Sequence, residues 1–209
     1  MDDTPSTAQA EPSAPLPVRK RPKPGERRLQ ILQTLAQMLE APGAERVTTA
    51  ALAARLSLSE AALYRHFASK AQMFEGLLDF IESSLLTLVN RIATATEGPG
   101  AGRRQCSAIV AVVLQFAQKN PGMARVMVGD ALVLEHPRLQ QRMNQLFDKL
   151  EAALRQALRL DAGAAETDAV VAAAVLSAFM VGRLQRFVRS DFARLPTERL
   201  DEHLAWMFG

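Results

Sequence analysis

The chain has 209 residues, 48% hydrophobic but only 5% aromatic, enough to bury a sizeable core built from Ala and Leu rather than from rings. Its formal net charge of +3 is unevenly placed, because residues 1–70 hold 10 Lys/Arg against 7 Asp/Glu while residues 71–209 hold 15 against 15. A single cysteine, Cys106, excludes an intrachain disulfide and a cysteine-built metal cage; His66, His136 and His203 lie apart without metal-ligand spacing, and no nucleophile elbow, HExxH motif or nucleotide loop points to an enzyme or a cofactor.

The chain opens on Asp2 and Asp3 without an apolar leader, and residues 1–25, rich in Pro, Ser, Thr and Ala, are expected to be a disordered leader. The longest weakly polar stretch, 169–182, is too short for a bilayer span, so a soluble cytoplasmic protein with no membrane partner is expected. At the end of the leader, VRKRPKPGERR sets Arg19, Lys20, Arg21, Lys23, Arg27 and Arg28 against one acid, Glu26, making a basic arm able to trail along DNA. Residues 19–70 carry 10 basic against 4 acidic residues. A basic head on a neutral body is an electrostatic footprint for nucleic acid.

A first helix is predicted over 26–40, with Leu29, Leu32, Leu35, Ala36 and Leu39 on its inner face. Residues 48–70, TTAALAARLSLSEAALYRHFASK, then pack two short helices and a tight turn into a small space. Thr48 or Thr49 caps the first, whose inward residues are Leu52, Ala53 and Leu56. The run Leu56-Ser57-Leu58-Ser59 interrupts it, Ser59 caps the second, and Leu63 and Phe67 give that one its buried side. Glu60, Ala61 and Ala62 permit close approach, and Tyr64, Arg65 and His66 offer hydrogen bonds to phosphate, the makeup of a recognition helix in a major groove. Ser69 and Gln72 have capping-box spacing, so a helix should begin at Lys70, which becomes a clamp on the phosphate backbone.

The fourth helix is predicted over 70–94, with Phe74, Leu77, Leu78, Ile81, Leu85, Leu88 and Ile92 at helical spacing. GPGAGRR, 98–104, lacks the Lys-Ser/Thr of a phosphate loop and reads as an interhelical connection. A fifth helix covers 103–119, Asn120 caps a short helix with Pro121 at its first position, and an amphipathic helix covers 137–160. The next, 168–189, is small and apolar over much of its circumference. With a last helix over 197–208 it is the natural dimer element, pairing two subunits as a four-helix bundle through Phe179, Leu184, Phe187 and Trp206. A two-fold homodimer presents two recognition helices, which favours palindromic double-stranded DNA.

The fold class is therefore all-α: a three-helix N-terminal helix-turn-helix head over 26–70, joined by a long fourth helix to a helical body over 71–209, about nine helices in total. The head resembles that of the TetR family of bacterial regulators. The resemblance implies Thr48 and Thr49 at a phosphate, Ser59, Glu60, Ala61 and Ala62 against bases, and Tyr64, His66 and Lys70 on the backbone. Two positions depart from the family pattern: Ser57 stands where a turn Gly is usual, and Ala68 where Pro is frequent. In most such proteins the body holds a small-molecule pocket and acts as a ligand-responsive repressor.

Body segments resemble one branch more closely, the nucleoid occlusion factors. The residues carrying this are RRLQILQTLAQMLE, SEAALYRHF, MFEGLLDFIESSL, NPGMARVMVGDAL, RLQQRMNQLFDKLEAALRQALR and RFVRSDFARLPT, spread over 26 to about 197. That resemblance implies a nucleoid-associated dimer that engages the C-terminal tail of the tubulin-like division GTPase FtsZ and antagonises its ring. The docking face it implies is the groove between the fourth and fifth helices, with Leu85, Leu88, Val89, Val112, Gln115, Phe116 and Lys119 as contacts for a short apolar, acidic peptide.

Overall fold

Side-chain caps mark the starts of several helices in the computed structural model, which describes residues 25–41, 46–161 and 166–208. The basic arm's Arg19, Lys20, Arg21 and Lys23 and the leader lie outside the described residues. The described residues form nine α-helices and one short 3-10 turn, with no strand among them. They are α1 (Glu26–Glu40), α2 (Thr49–Arg55), α3 (Glu60–Tyr64), α4 (Lys70–Ala95), α5 (Ala101–Lys119), α6 (Pro121–Met127), the 3-10 turn (Asp130–Leu132), α7 (Pro137–Leu158), α8 (Glu166–Arg189) and α9 (Leu200–Phe208).

Thr48 accepts a hydrogen bond from the Ala51 amide at 3.2 Å, Ser59 from Ala62 at 3.2 Å, and Ser69 from Gln72 at 3.2 Å. Each cap satisfies an otherwise orphaned donor and contributes about 1 kcal/mol. The Gln72 side chain reaches back one residue beyond the box geometry and accepts from the Ala68 amide at 2.7 Å. Asn120 departs from expectation: it makes no capping bond and instead donates from Nδ2 to the Phe116 carbonyl at 2.8 Å, while Pro121 does open α6. The last helix starts at Leu200 rather than 197, because Arg199 adopts a left-handed φ of 51° and Thr197 is turned toward Gln118. On α1 the buried stripe is Ile31, Thr34, Leu35, Ala36 and Leu39, with Leu29 exposed.

The turn between α2 and α3 places Ser57 at φ 54°, the left-handed region where a side chain is strained. Ser57→Gly should therefore raise the stability of the head by up to about 1 kcal/mol, net of the entropy glycine adds to the unfolded chain. A denaturant midpoint that does not rise would show that the turn carries no strain.

The body is built from helices of alternating direction, which gives it two ends. At the far end Asp161, just past α7, accepts from the Gly102 and Arg103 amides at the start of α5 at 3.0 and 2.9 Å, and Arg103 donates to the Phe208 carbonyl at 2.8 Å. At the head end Arg125 on α6 pairs with Asp191 past α8 at 3.2 Å. Here α6 lies against α1 so closely that a Cβ on Gly122 would fall 2.0 Å from the Ala36 carbonyl oxygen.

Between α4 and α7 runs a ladder of ion pairs: Glu75–Arg138 at 2.8 Å, Asp79–Arg142 at 2.5 Å, Glu82–Arg142 at 3.1 Å and Glu82–Lys149. Lys149 and Arg142 hold the Glu82 carboxyl below its usual range against the opposing effect of burial. Cys106 is a core thiol as its setting predicts, with burial pushing its pKa up to about 12.

The reading that no segment is membrane-length needs correcting. The helix segment Asp168–Arg189 is long and apolar enough by composition, with a mean hydropathy of 1.4 over its most apolar window. In this fold it is a bundle helix: Ala169, Ala173, Leu176, Met180, Leu184 and Phe187 are buried in the core.

Candidate nucleic-acid interface and neighbouring surfaces

Leu63 and Phe67 form the inner side of α3 and its exit and are fully buried, which leaves the opposite side to solvent. On that side Ser59, Glu60, Ala61, Tyr64, Arg65 and His66 are exposed, and Ala62 is half-buried. Thr48 is exposed at the start of α2, and Thr49 donates from Oγ1 to the Glu60 carboxylate at 2.6 Å. That bond joins the N-termini of α2 and α3, so the two caps and the first turn of α3 form one continuous surface of small and hydroxyl side chains. Arg55 and Arg65, both exposed, make no ion pair among the described residues. Arg55 is a further cation at this surface; its place in the last turn of α2 is the sequence signal for it.

Two cations read from the sequence as DNA-facing are engaged within the protein. Arg28 donates to the His66 carbonyl at 2.5 Å and stacks its guanidinium 4.0 Å above the Phe67 ring. It is a strut between α1 and the exit of α3 rather than part of a free arm, because the aromatic face lies directly below it. Lys70, at the first position of α4, forms an ion pair with Glu135 in the loop before α7, with side-chain exposures of 25% and 10%. Its ammonium also sits 5.7 Å from the Phe74 ring. The same lysine thus lies at the edge of the helix-turn-helix and at the joint between head and body.

Between α4 and α5 the groove differs from its expected lining. Leu85 is 0% exposed and Val89 4%, so both are core residues out of reach of a partner. The reason is that α4 packs against both α5 and α7, and these two positions belong to the core the three helices share. Leu88 is exposed, Val112 and Phe116 are half-buried, and Gln115 and Lys119 are exposed, so five of the seven expected residues do reach the surface. Phe80, absent from the sequence-based set, is also exposed, with its ring centroid 6.4 Å from that of Phe116. Phe80, Ser84 and Leu88 fall on successive turns of α4, which is the signal that could have located it.

The expected dimer contacts divide in the same way. Leu184 and Phe187, 0% and 1% exposed, are packed in their own subunit's core and do not reach a second chain. Phe179 is half-buried against His203, with ring centroids 5.9 Å apart, and Trp206 is 85% exposed. The helical phase of α8 explains the correction, because its open face is Val171, Val175, Ala178 and Gly182, on the side opposite the buried residues.

Where α4, α5, α7 and α8 meet, six core side chains are sealed from solvent. Leu85, Val110, Val113, Leu114, Leu150 and Met180 each have 0% exposure, so no water-sized void borders them. A cleft of about 690 Å³ lies instead at the far end, open to solvent beside Arg103, Ala172, Trp206 and Phe208. No group of three or more His, Cys, Asp or Glu able to hold a metal occurs among the described residues.

Comparison with known proteins places this geometry. Residues 31–77 match the family described as bacterial regulatory proteins, tetR family, and residues 104–208 match SlmA-like_C, described as tetracyclin repressor-like, C-terminal domain. The nucleoid occlusion factor SlmA of Idiomarina loihiensis is 49% identical over 176 residues, covering 82% of this chain and 88% of that protein. Its namesake from Vibrio cholerae is 47% identical over 184 residues, covering 86% and 92%. Among solved structures, the fatty acid degradation regulator FadR from Bacillus halodurans superposes with a TM-score of 0.70 at 14% identity, covering 91% of this chain and 97% of its own. A TetR-family regulator from Bordetella parapertussis gives 0.66 at 20% identity, covering 88% and 94%. At those identities the structures establish the fold alone.

Proposed function

The chain belongs to the SlmA nucleoid occlusion factors, a branch of the TetR family of helix-turn-helix DNA-binding proteins, and from that premise we propose that it is a nucleoid-associated homodimer that binds palindromic double-stranded DNA and antagonises assembly of the tubulin-like division GTPase FtsZ. In this reading residues 26–70 are the DNA-binding head and residues 71–209 the partner-binding and dimerisation body. Ser59, Glu60, Ala61 and Ala62 face bases, with the Glu60 carboxylate suited to accept from a cytosine amino group. Thr48, Thr49, Tyr64, Arg65 and His66 hold phosphates. Subunits pair through the open face of α8 with Phe179 and Trp206 at its edge.

One observation supports the division-GTPase arm above the others: Phe80, Leu88 and Phe116, with Lys119 nearby on α5, leave apolar surface open to solvent along α4 and α5. An apolar cleft with a neighbouring cation suits a short apolar, acidic tail. Phe80→Asn with Lys119→Glu should weaken binding of the division GTPase's tail by about tenfold or more, as loss of an aromatic anchor does. DNA affinity should be unchanged. The test is sedimentation of division-GTPase polymers at matched salt, with and without a palindrome selected from a random pool. Polymer loss that DNA enhances, and that the double substitution abolishes, supports the reading; no polymer loss beside tight DNA binding refutes the division role.

A further inference from the structure

The body is neutral in sum but not in arrangement. The open stripe of α8 runs Val171, Val175, Ala178, Gly182 at spacings of three and four, and the same spacing carries it on to Arg186 and Arg189. Both arginines are exposed, as is Arg194 in the connection that follows, and none of the three side chains makes a hydrogen bond or ion pair among the described residues. Arg183, Arg186 and Arg194 border one small recess with Glu198 as the only acid. Arg183 is spent internally: its guanidinium donates to the carbonyls of Pro196, Leu195 and Glu198 at 2.9, 3.3 and 2.6 Å. Burial and, after it, the nearness of Arg186 lower its pKa against the opposing pull of Glu198.

The connection is held firmly. Asp191, Phe192 and Arg199 all adopt left-handed φ values without being glycine; Arg125 holds Asp191 and the Phe192 ring, while Arg183 and Gln118 hold the segment 195–198 that leads to Arg199. Strain of this kind persists only where surrounding contacts over-determine it. This connection also lies at the head end: Arg125 of α6 pairs with Asp191 and stacks its guanidinium 5.0 Å from the Phe192 ring, and α6 rests on α1. If two subunits meet along the open stripe of α8, the arginines of both gather where that seam opens between the heads. Like charges facing one another across a seam are costly unless an anion separates them.

We propose that Arg186, Arg189 and Arg194 of the two subunits form a positively charged floor that binds the phosphate backbone of the DNA between the two half-sites, a contact separate from the helix-turn-helix. This rests on the DNA-binding dimer reading and adds a third point of attachment to it. Its salt dependence should exceed what the two heads supply.

The test compares the full chain with an Arg186→Gln, Arg189→Gln, Arg194→Gln variant on a palindromic duplex selected by the unaltered protein. A second duplex carries neutral methylphosphonates in the spacer between half-sites. The slope of log affinity against log salt should shrink in magnitude by about 2 or more per dimer in the variant. The methylphosphonate spacer should weaken the unaltered protein and leave the variant unaffected. Equal slopes for both proteins, or indifference of the unaltered protein to the neutral spacer, overturns the floor while leaving head-mediated binding intact. Loss of division-GTPase antagonism at unchanged slope overturns it in favour of an acidic protein partner. Failure of the unaltered protein to select any duplex refutes the DNA reading itself.

Discussion

Replacing Gly122 with alanine should destabilise the protein by roughly 3 kcal/mol, the upper part of the range for overpacked sites. The added methyl would lie 2.0 Å from the Ala36 carbonyl oxygen and 2.9 Å from its carbon, both backbone atoms of α1 that no rotamer change can move aside. Either α6 lifts away from α1 or the backbone of α1 shifts, and in both cases the packing that seats the head on the body is lost. For a chain of this size each kcal/mol moves the melting temperature by about 2–4 °C, so a fall on the order of 10 °C is expected. DNA affinity should fall with it, because α1 carries the Arg28 strut that braces the exit of α3. A Gly122→Ala chain that melts within a degree or two of the parent would show that this contact is not what joins the two parts.

The second large effect concerns Lys70, which the DNA-binding reading assigns to the phosphate backbone and which the fold pairs with Glu135. One ammonium cannot serve a phosphate at full strength while a carboxylate holds it. Glu135→Gln removes the competing charge and a source of repulsion toward DNA, and should tighten binding to every duplex by about tenfold, the equivalent of about 1.4 kcal/mol. Lys70→Ala should weaken all duplexes by a similar factor without changing which sequence is preferred, since a phosphate contact carries no base information. Titrations of both variants on matched and mismatched palindromes decide the matter. If Glu135→Gln leaves affinity unchanged while Lys70→Ala reduces it, the pair does not compete with DNA.

Where the chain's local chemistry decides structure, the sequence was legible. The caps at Thr48, Ser59 and Ser69, the bounds of α1 and the proline that opens α6 all depend on residues within a few positions of one another. Phase was harder. Leu85 and Val89, or Leu184 and Phe187, lie on apolar helix faces that the sequence shows, but which portion of such a face a neighbour covers depends on where that neighbour crosses. The flanking position of α7 beside α4 decides the first pair, and the packing of α8 into its own bundle decides the second. Phe80 was missed for the converse reason, as an aromatic on an otherwise buried helix that the bundle leaves uncovered. Arg28 illustrates a third limit: its charge was evident, whereas the ring and carbonyl that engage it come from 39 and 38 residues away.

The closely packed centre of the bundle has a further consequence. A sensor that changes shape around a metabolite reports composition, and its output follows the concentration of something dissolved. Val110, Val113, Leu114 and Met180 are sealed against one another, so a signal of that kind finds no seat among them. In the proposed reading, what acts on it are macromolecules at its surfaces: a duplex below, a second copy at its side, a peptide along its groove. On that reading its activity is governed by where those macromolecules are, and the protein reports position within the cell rather than chemical state.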